Sequence, residues 1–212
     1  MKIKKIQLII FDVDGVLIDT KQNMKIAWKK LCKDHKLNIE FEEYFKYIGI
    51  SFKNILNKLK IYNDQRILEK KYFTNSKKFA NKIRPYKGVN NVLKFLQKKY
   101  LLSVITSKNK ENTKIFLKKF FPKVKFSLIC TPTEVLKSKP YPDLFNYTFK
   151  KLKISPKNSI FIGDTIHDLK GSQNAKTNFI FAKYGYSQKK INYKYTIKNI
   201  NELKNYLIKL NY

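Results

Sequence analysis

Arginine is nearly missing from this chain. Only Arg66 and Arg84 are arginine, against 44 lysines. Acidic residues are scarce too, 15 in all, which leaves a formal net charge of +31. A surplus of that size raises the question of nucleic-acid binding through phosphate contacts. Reading of base edges, however, relies on the bidentate arginine fork. The lysines are also scattered along the whole chain and form no block, as a solvated surface requires. Lysine, asparagine and isoleucine are abundant together, which points to an A- and T-rich coding composition. The nucleic-acid reading is kept only as an alternative. Cys32 and Cys130 are too few and too far apart for a disulfide framework or a CxxC metal site. Neither lies in a motif that activates a thiolate. No stretch reaches the ~18 uncharged apolar residues of a membrane span. The lysines and apolar run of Met1 to Phe11 meet Asp12 and Asp14 with no small-residue cleavage site, so they read as a first strand and not as a leader. The expectation is a cytoplasmic protein without a membrane partner. No internal repeat and no Pro-, Gly- or Ser-rich linker divides the chain.

What is present is enough for a core: 43 % of the 212 residues are hydrophobic. Short apolar runs rich in β-branched residues recur at Ile6–Phe11, Leu101–Ile105, Phe126–Cys130, Ser159–Ile162 and Asn178–Ala182. Such runs suit parallel strands buried on both faces. Amphipathic helical patterns lie between several of them, at Val89–Lys98, Asn112–Phe120 and Leu144–Leu152. A weak strand at Tyr195–Ile197 and a helix over Asn201–Leu210 close the chain. This alternation predicts an α/β fold, a Rossmann-like three-layer core with a parallel sheet. One region breaks the rhythm. From Thr20 to Lys82 the pattern is helical, too long for a plain crossover, with Met24, Ala27, Trp28 and Leu31 on one face and Ile67, Leu68, Lys71 and Tyr72 on another. It predicts a small helical cap inserted after the first strand. The expected division is 1–19 and 83–212 for the core and 20–82 for the cap, with Arg84-Pro85-Tyr86 as the return hinge.

Open parallel sheets bind ligands at the carboxyl ends of their strands. Those ends carry Asp12-Val13-Asp14-Gly15, Thr106-Ser107, Lys139-Pro140 before a helix, and Gly163-Asp164 with Asp168 beyond. Carboxylates held together raise one another's pKa unless a cation sits among them, and hard oxygen donors suit Mg2+. An aspartate can attack phosphorus, a lysine and a hydroxyl can hold the transferring oxygens, and glycine lets backbone come close. The strand ends thus have the makings of a phosphoryl-transfer site.

These same residues resemble the four motifs of the haloacid dehalogenase-like phosphatase superfamily. Asp12-Val13-Asp14-Gly15-Val16-Leu17-Ile18-Asp19 is similar to its DxDGxxxD motif, and Val104-Ile105-Thr106-Ser107 to its hydroxyl at a strand end. Lys139-Pro140-Tyr141-Pro142-Asp143 is similar to KPxPD, and Gly163-Asp164-Thr165-Ile166-His167-Asp168 to GDxxxD. The helical insert and Ala175 to Tyr186 resemble the phosphoglycolate-phosphatase-like branch. The resemblance implies a Mg2+-dependent hydrolase of a small phosphorylated metabolite, phosphoglycolate- or sugar-phosphate-like. Asp12 would be the nucleophile, Asp14 the general acid and then base, and Thr106 and Lys139 would bind the transferring phosphate. Asp12, the Asp14 carbonyl and Asp164 would hold the metal, with Asp168 as a ligand or as support. Gly15, Ser107 and Lys108 would approach the phosphate through backbone. The second aspartate, which dehalogenases lack, argues for phosphate chemistry. The loop Tyr47–Ser51 resembles the cap loop that faces the active site, and Lys21, Ser51, Lys53 and Asn54 are polar candidates for reading the leaving group. Phosphoglucomutase-like transfer uses the same motifs and remains the second enzymatic reading. Simpler roles are expected for Asp19 and Asp143 as helix caps, His167 as a loop histidine and Trp28 as cap core. Oligomeric state is open.

Overall fold

A computed structural model describes residues 5–187 and 191–210. Six strands form one parallel sheet: β1 (Leu8–Phe11), β4 (Leu101–Ile105), β5 (Leu128–Cys130), β6 (Ser159–Gly163), β7 (Asn178–Ala182) and β8 (Thr196–Ile197), in the order β5-β4-β1-β6-β7-β8. The chain runs outward from β1 to β5, then returns to pair β6 with the other side of β1. That reversal makes the β1/β6 boundary the switch point where open sheets form a crevice.

The pleat explains the three layers. Leu8 and Ile10 point to one face and Ile9 and Phe11 to the other, and all four are fully buried. On one side, Ile9 and Phe11 meet α5 (Val89–Leu96), α6 (Lys110–Phe120) and α9 (Glu202–Leu210) through Val92, Leu96, Phe116 and Leu203. On the other, Leu8 and Ile10 meet α7 (Asp143–Leu152) through Leu144, Phe145 and Phe149. The short helix α8 (Ile166–Asn174), between β6 and β7, has no place in the periodicity reading, because its buried positions are Asp168, Gly171 and Ser172 rather than an apolar stripe.

Between the hinge strands β2 (Ile18–Asp19) and β3 (Arg84–Pro85), which pair antiparallel, lie α1 (Lys21–Asp34), α2 (Phe41–Phe45), α3 (Phe52–Lys58) and α4 (Gln65–Lys78). These four helices have a separate aromatic core. Trp28 stacks on Tyr44 and Phe52 on Tyr72, each at 4.5 Å between ring centroids. The indole N–H donates to the Ile39 carbonyl (3.0 Å), so Trp28 is core with its one donor satisfied. On α4 the inward face is Leu68, Tyr72, Asn75 and Ser76, whereas Ile67 is 52 % exposed and Lys71 faces solvent. The pairing of Ile67 and Lys71 with that face is therefore corrected. The buried polar pair comes from Asn23 on α1, which accepts from Ser76 Oγ (2.7 Å) and donates to the Ser76 carbonyl (2.8 Å).

Candidate active site

The site begins where β1 ends. The Asp12 N–H still donates to Ile162 on β6 (2.9 Å), so the first aspartate is held at the strand end and is 4 % exposed. The chain then turns tightly: the amides of Val16, Leu17 and Ile18 all donate to the Val13 carbonyl. Gly15 sits in that turn at φ +84°, and a Cβ there would lie 2.1 Å from Asp164 Oδ2. The demand for glycine therefore comes from the Asp164 carboxylate rather than from a phosphate, and Gly15 is not among the residues facing the chamber described below.

Lys139, fully buried, reaches Asp12 Oδ1 at 3.1 Å and Asp168 Oδ1 at 2.5 Å. Asp168 is tied down on its other oxygen as well. Its Oδ2 accepts from the amides of Asp164 (3.2 Å) and Thr165 (2.9 Å) and from Thr165 Oγ1 (2.6 Å), a capping box that starts α8. His167 follows on the helix and is not a loop residue. Asp164 differs. Its Oδ2 accepts from the Tyr186 amide (2.6 Å), while its Oδ1 is buried without a hydrogen-bond partner among the described residues.

Asp12, Asp164 and Asp168 each offer an oxygen within 4.8 Å of the others, all buried. Burial pushes Asp12 up to about 7; Lys139 opposes this, and Asp168 and Asp14 add to it. Asp164 is also held well above the carboxylate range by burial first, then by Asp168 and Asp12. Against the same burial, Asp12 and Asp168 hold Lys139 above its ordinary value, so its ammonium stays charged. The orphaned Asp164 oxygen and the all-oxygen donor set fit a hard divalent cation.

Asp14 lies outside that cluster, on the chamber side. Thr20 Oγ1 donates to its Oδ1 (2.7 Å), and Lys108 Nζ lies 3.1 and 3.0 Å from its two oxygens. The Lys108 side chain is a partner that sequence reasoning missed, having given this residue a backbone role only. It left no signal in the sequence, being one lysine among 44. Thr106 is 2 % exposed, and Ser107 donates to the Gly49 carbonyl (2.8 Å), tying the core to the loop between α2 and α3. Tyr186 was missed as well. Its hydroxyl donates to Asp19 (2.7 Å) and accepts from the amides of Thr20 (2.5 Å) and Lys21 (3.1 Å). Asp19 Oδ1 also accepts from Lys21 (3.0 Å), one residue before the Thr20 cap position. Asp143 is the first residue of α7, and its carboxylate accepts from the Lys137 amide (3.2 Å).

Under the helical insert these groups face a chamber of about 50 Å³. Its floor is Asp12, Asp14, Thr106, Ser107, Lys108 and Lys139. The roof comes from Met24, Tyr44, Ile48 to Ile50, Phe52, Ile55, Tyr72 and Phe73. Of the polar candidates in the insert, none lines it. Lys21 stands over the Phe45 ring, Ser51 caps α3, Lys53 is exposed, and Asn54 bonds Ser138 (3.4 Å). No helix among the described residues is long and apolar enough to cross a membrane.

Comparison with known proteins follows the same motifs. The model of the haloacid dehalogenase-like hydrolase family matches residues 9–182. Pyrophosphatase PpaX of Oceanobacillus iheyensis is 28 % identical over 189 residues, covering 89 % of this chain and 87 % of the relative. A phosphoglycolate phosphatase of Aquifex aeolicus is 28 % identical over 192 residues, covering 85 % and 86 %. The crystal structure of a hydrolase from Pseudomonas syringae superposes with a TM-score of 0.83 at 23 % identity, covering 97 % of this chain and 99 % of that one.

Proposed function

Because the chain belongs to the haloacid dehalogenase-like hydrolase family, we propose that it is a Mg2+-dependent phosphatase acting on a small phosphate monoester through an aspartyl-phosphate on Asp12. The observation that carries this reading is the meeting of two aspartates, Asp12 and Asp14, with Lys139 and Thr106 on one chamber floor. Relatives named for phosphoglycolate and pyrophosphate hydrolysis support phosphate chemistry. Residues 20–82 serve as the cap, and 1–19 with 83–212 as the catalytic core.

In the first step an Asp12 carboxylate oxygen attacks phosphorus, in line with the leaving oxygen. The bond to the leaving oxygen breaks as the protonated Asp14 carboxyl donates its proton to it. In the second step Asp14, now a carboxylate, takes a proton from water; the water oxygen bonds phosphorus, and the bond to Asp12 breaks. Lys139 keeps a positive charge beside Asp12 and the phosphoryl oxygens throughout, and Thr106 offers its hydroxyl to them. The Asp12 and Asp164 carboxylates and the Asp14 carbonyl would hold Mg2+, which supplies charge neutralisation for the transferring phosphoryl group. Asp168, with both oxygens already engaged, positions Lys139 and the Asp164 loop. A mutase needs acid–base groups on the cap, and the chamber roof carries no histidine or lysine among the described residues.

Phosphate release from a panel of phosphate monoesters tests the proposal. With Mg2+ the wild type is expected to turn over at least one ester, and a chelator or Asp12→Asn to abolish release, because the amide cannot attack. Full activity in Asp12→Asn would refute the nucleophile assignment.

A further inference from the structure

The charge of the whole molecule and the lining of its chamber point in opposite directions. The chain carries +31, yet the roof offers apolar and aromatic surface: Met24, Ile50, Phe52, Ile55 and Phe73, with the hydroxyls of Tyr44 and Tyr72. Tyr44 donates to Tyr72 (2.9 Å), which leaves the Tyr72 proton as a neutral donor. Burial holds both phenols well above their ordinary range, so neither adds or loses charge near neutrality. Two cations touch the chamber, and both are engaged on the floor, Lys139 by Asp12 and Asp168 and Lys108 by Asp14.

We infer that the leaving group is small and uncharged, a hydroxyl-bearing alcohol without a second anionic group. The inference rests on the phosphatase reading and narrows it. A carboxylate or second phosphate against this roof would lose much of its water and meet mainly rings and aliphatic carbons, with the Tyr72 phenol as the roof's side-chain donor. Burying an unpaired anion there is strongly unfavourable. The floor offers it no spare cation, since Lys108 is taken up by Asp14 and Lys139 by Asp12 and Asp168. Exposed lysines do not compensate, because screening limits them to about a Debye length, ~8 Å at physiological salt. A neutral alcohol avoids the cost: its carbons meet the rings and a hydroxyl can accept from Tyr72. The chamber is small, about 50 Å³, and favours a short leaving group over a long one. Pyrophosphate and phosphoglycolate, the substrates in the relatives' names, are therefore disfavoured here.

A matched pair isolates charge from size. 2-Phosphoglycolate and 2-hydroxyethyl phosphate differ by a carboxylate against a hydroxymethyl group. With the full-length chain and Mg2+, kcat/KM is expected to be at least tenfold higher for the neutral ester, with pyrophosphate below it. A ratio under ten, or a preference for either anionic substrate, overturns the inference and leaves the phosphatase reading standing. No release from any ester overturns that reading and this inference with it. Ile50→Arg places a cation on the half-buried edge of the roof, where its stem can lie along apolar surface. That variant is expected to shift the ratio at least tenfold toward phosphoglycolate. An unchanged ratio in the folded variant would overturn the placement of the leaving group under this roof.

Discussion

Two aspartates two residues apart have opposite surroundings, and the difference suits the separate work proposed for them. Asp12 is 4 % exposed between Lys139 and the acidic cluster, whereas Asp14 is half-buried, faces the chamber and is held by Thr20 and Lys108. A nucleophile needs the first setting, a proton carrier the second. On the proposed mechanism Asp14→Asn removes both proton transfers and is expected to lower kcat by about 10²–10⁴-fold on ordinary esters. An ester of a more acidic alcohol, such as trifluoroethyl phosphate, depends less on a proton at its leaving oxygen. With it the variant is expected to give a burst of alcohol equal to the enzyme present, followed by slow turnover as the aspartyl-phosphate waits for a base. Rapid-quench measurement of alcohol release reads this directly. Steady release at the wild-type rate would remove Asp14 from both steps. The motif made these carboxylates legible in the sequence. It could not make Lys108 legible, because one lysine among 44 carries no signal until the fold brings its ammonium to Asp14.

At the level of elements, α1 begins without a cap of its own. Thr20 occupies the N-cap position and makes no capping bond, since its hydroxyl is turned to Asp14. The orphaned first amides of the helix are taken up by the Tyr186 hydroxyl from the loop after β7, helped by Asp19. The same tyrosine donates its backbone N–H to Asp164 and packs against Phe45 of the cap. One residue thus joins the start of α1, the helical insert and the acidic cluster. Tyr186→Phe keeps the ring and the backbone bond but leaves the Thr20 amide without its acceptor and the Lys21 amide with Asp19 alone. It is expected to cost about 1–2 kcal/mol, seen as a lower denaturation midpoint at unchanged m-value. KM is expected to rise as the hinge loosens. An unchanged midpoint would mean that water replaces the phenol at no cost. Such long-range contacts escape a sequence reading, since Tyr186 and Thr20 are separated by most of the chain. Strands were easier: β1, β4, β6 and β7 are buried on both faces and leave continuous apolar runs, whereas α8 packs small and polar residues and leaves no stripe.

For the whole molecule the open matter is the surplus of lysine. Lys108 and Lys139 lie inward on buried or half-buried carboxylates, while most others are exposed and spread over the helices of core and insert. Of the two arginines, Arg84 donates to the backbone carbonyls of Asn81 and Ile83. A surface of this kind attracts polyanions by counterion release alone, without register or sequence preference. Its attraction is therefore expected to collapse with salt. On immobilised duplex DNA the protein is expected to be retained at about 50 mM salt and released by about 150–200 mM, with the same midpoint for unrelated sequences. Retention well beyond that range, or a midpoint that depends on sequence, would mean that the lysines form a dedicated binding face and would restore the nucleic-acid reading. Release as expected leaves the surplus with a role open to any polycation, drawing dianionic esters toward a chamber mouth whose interior then selects by the absence of a second charge.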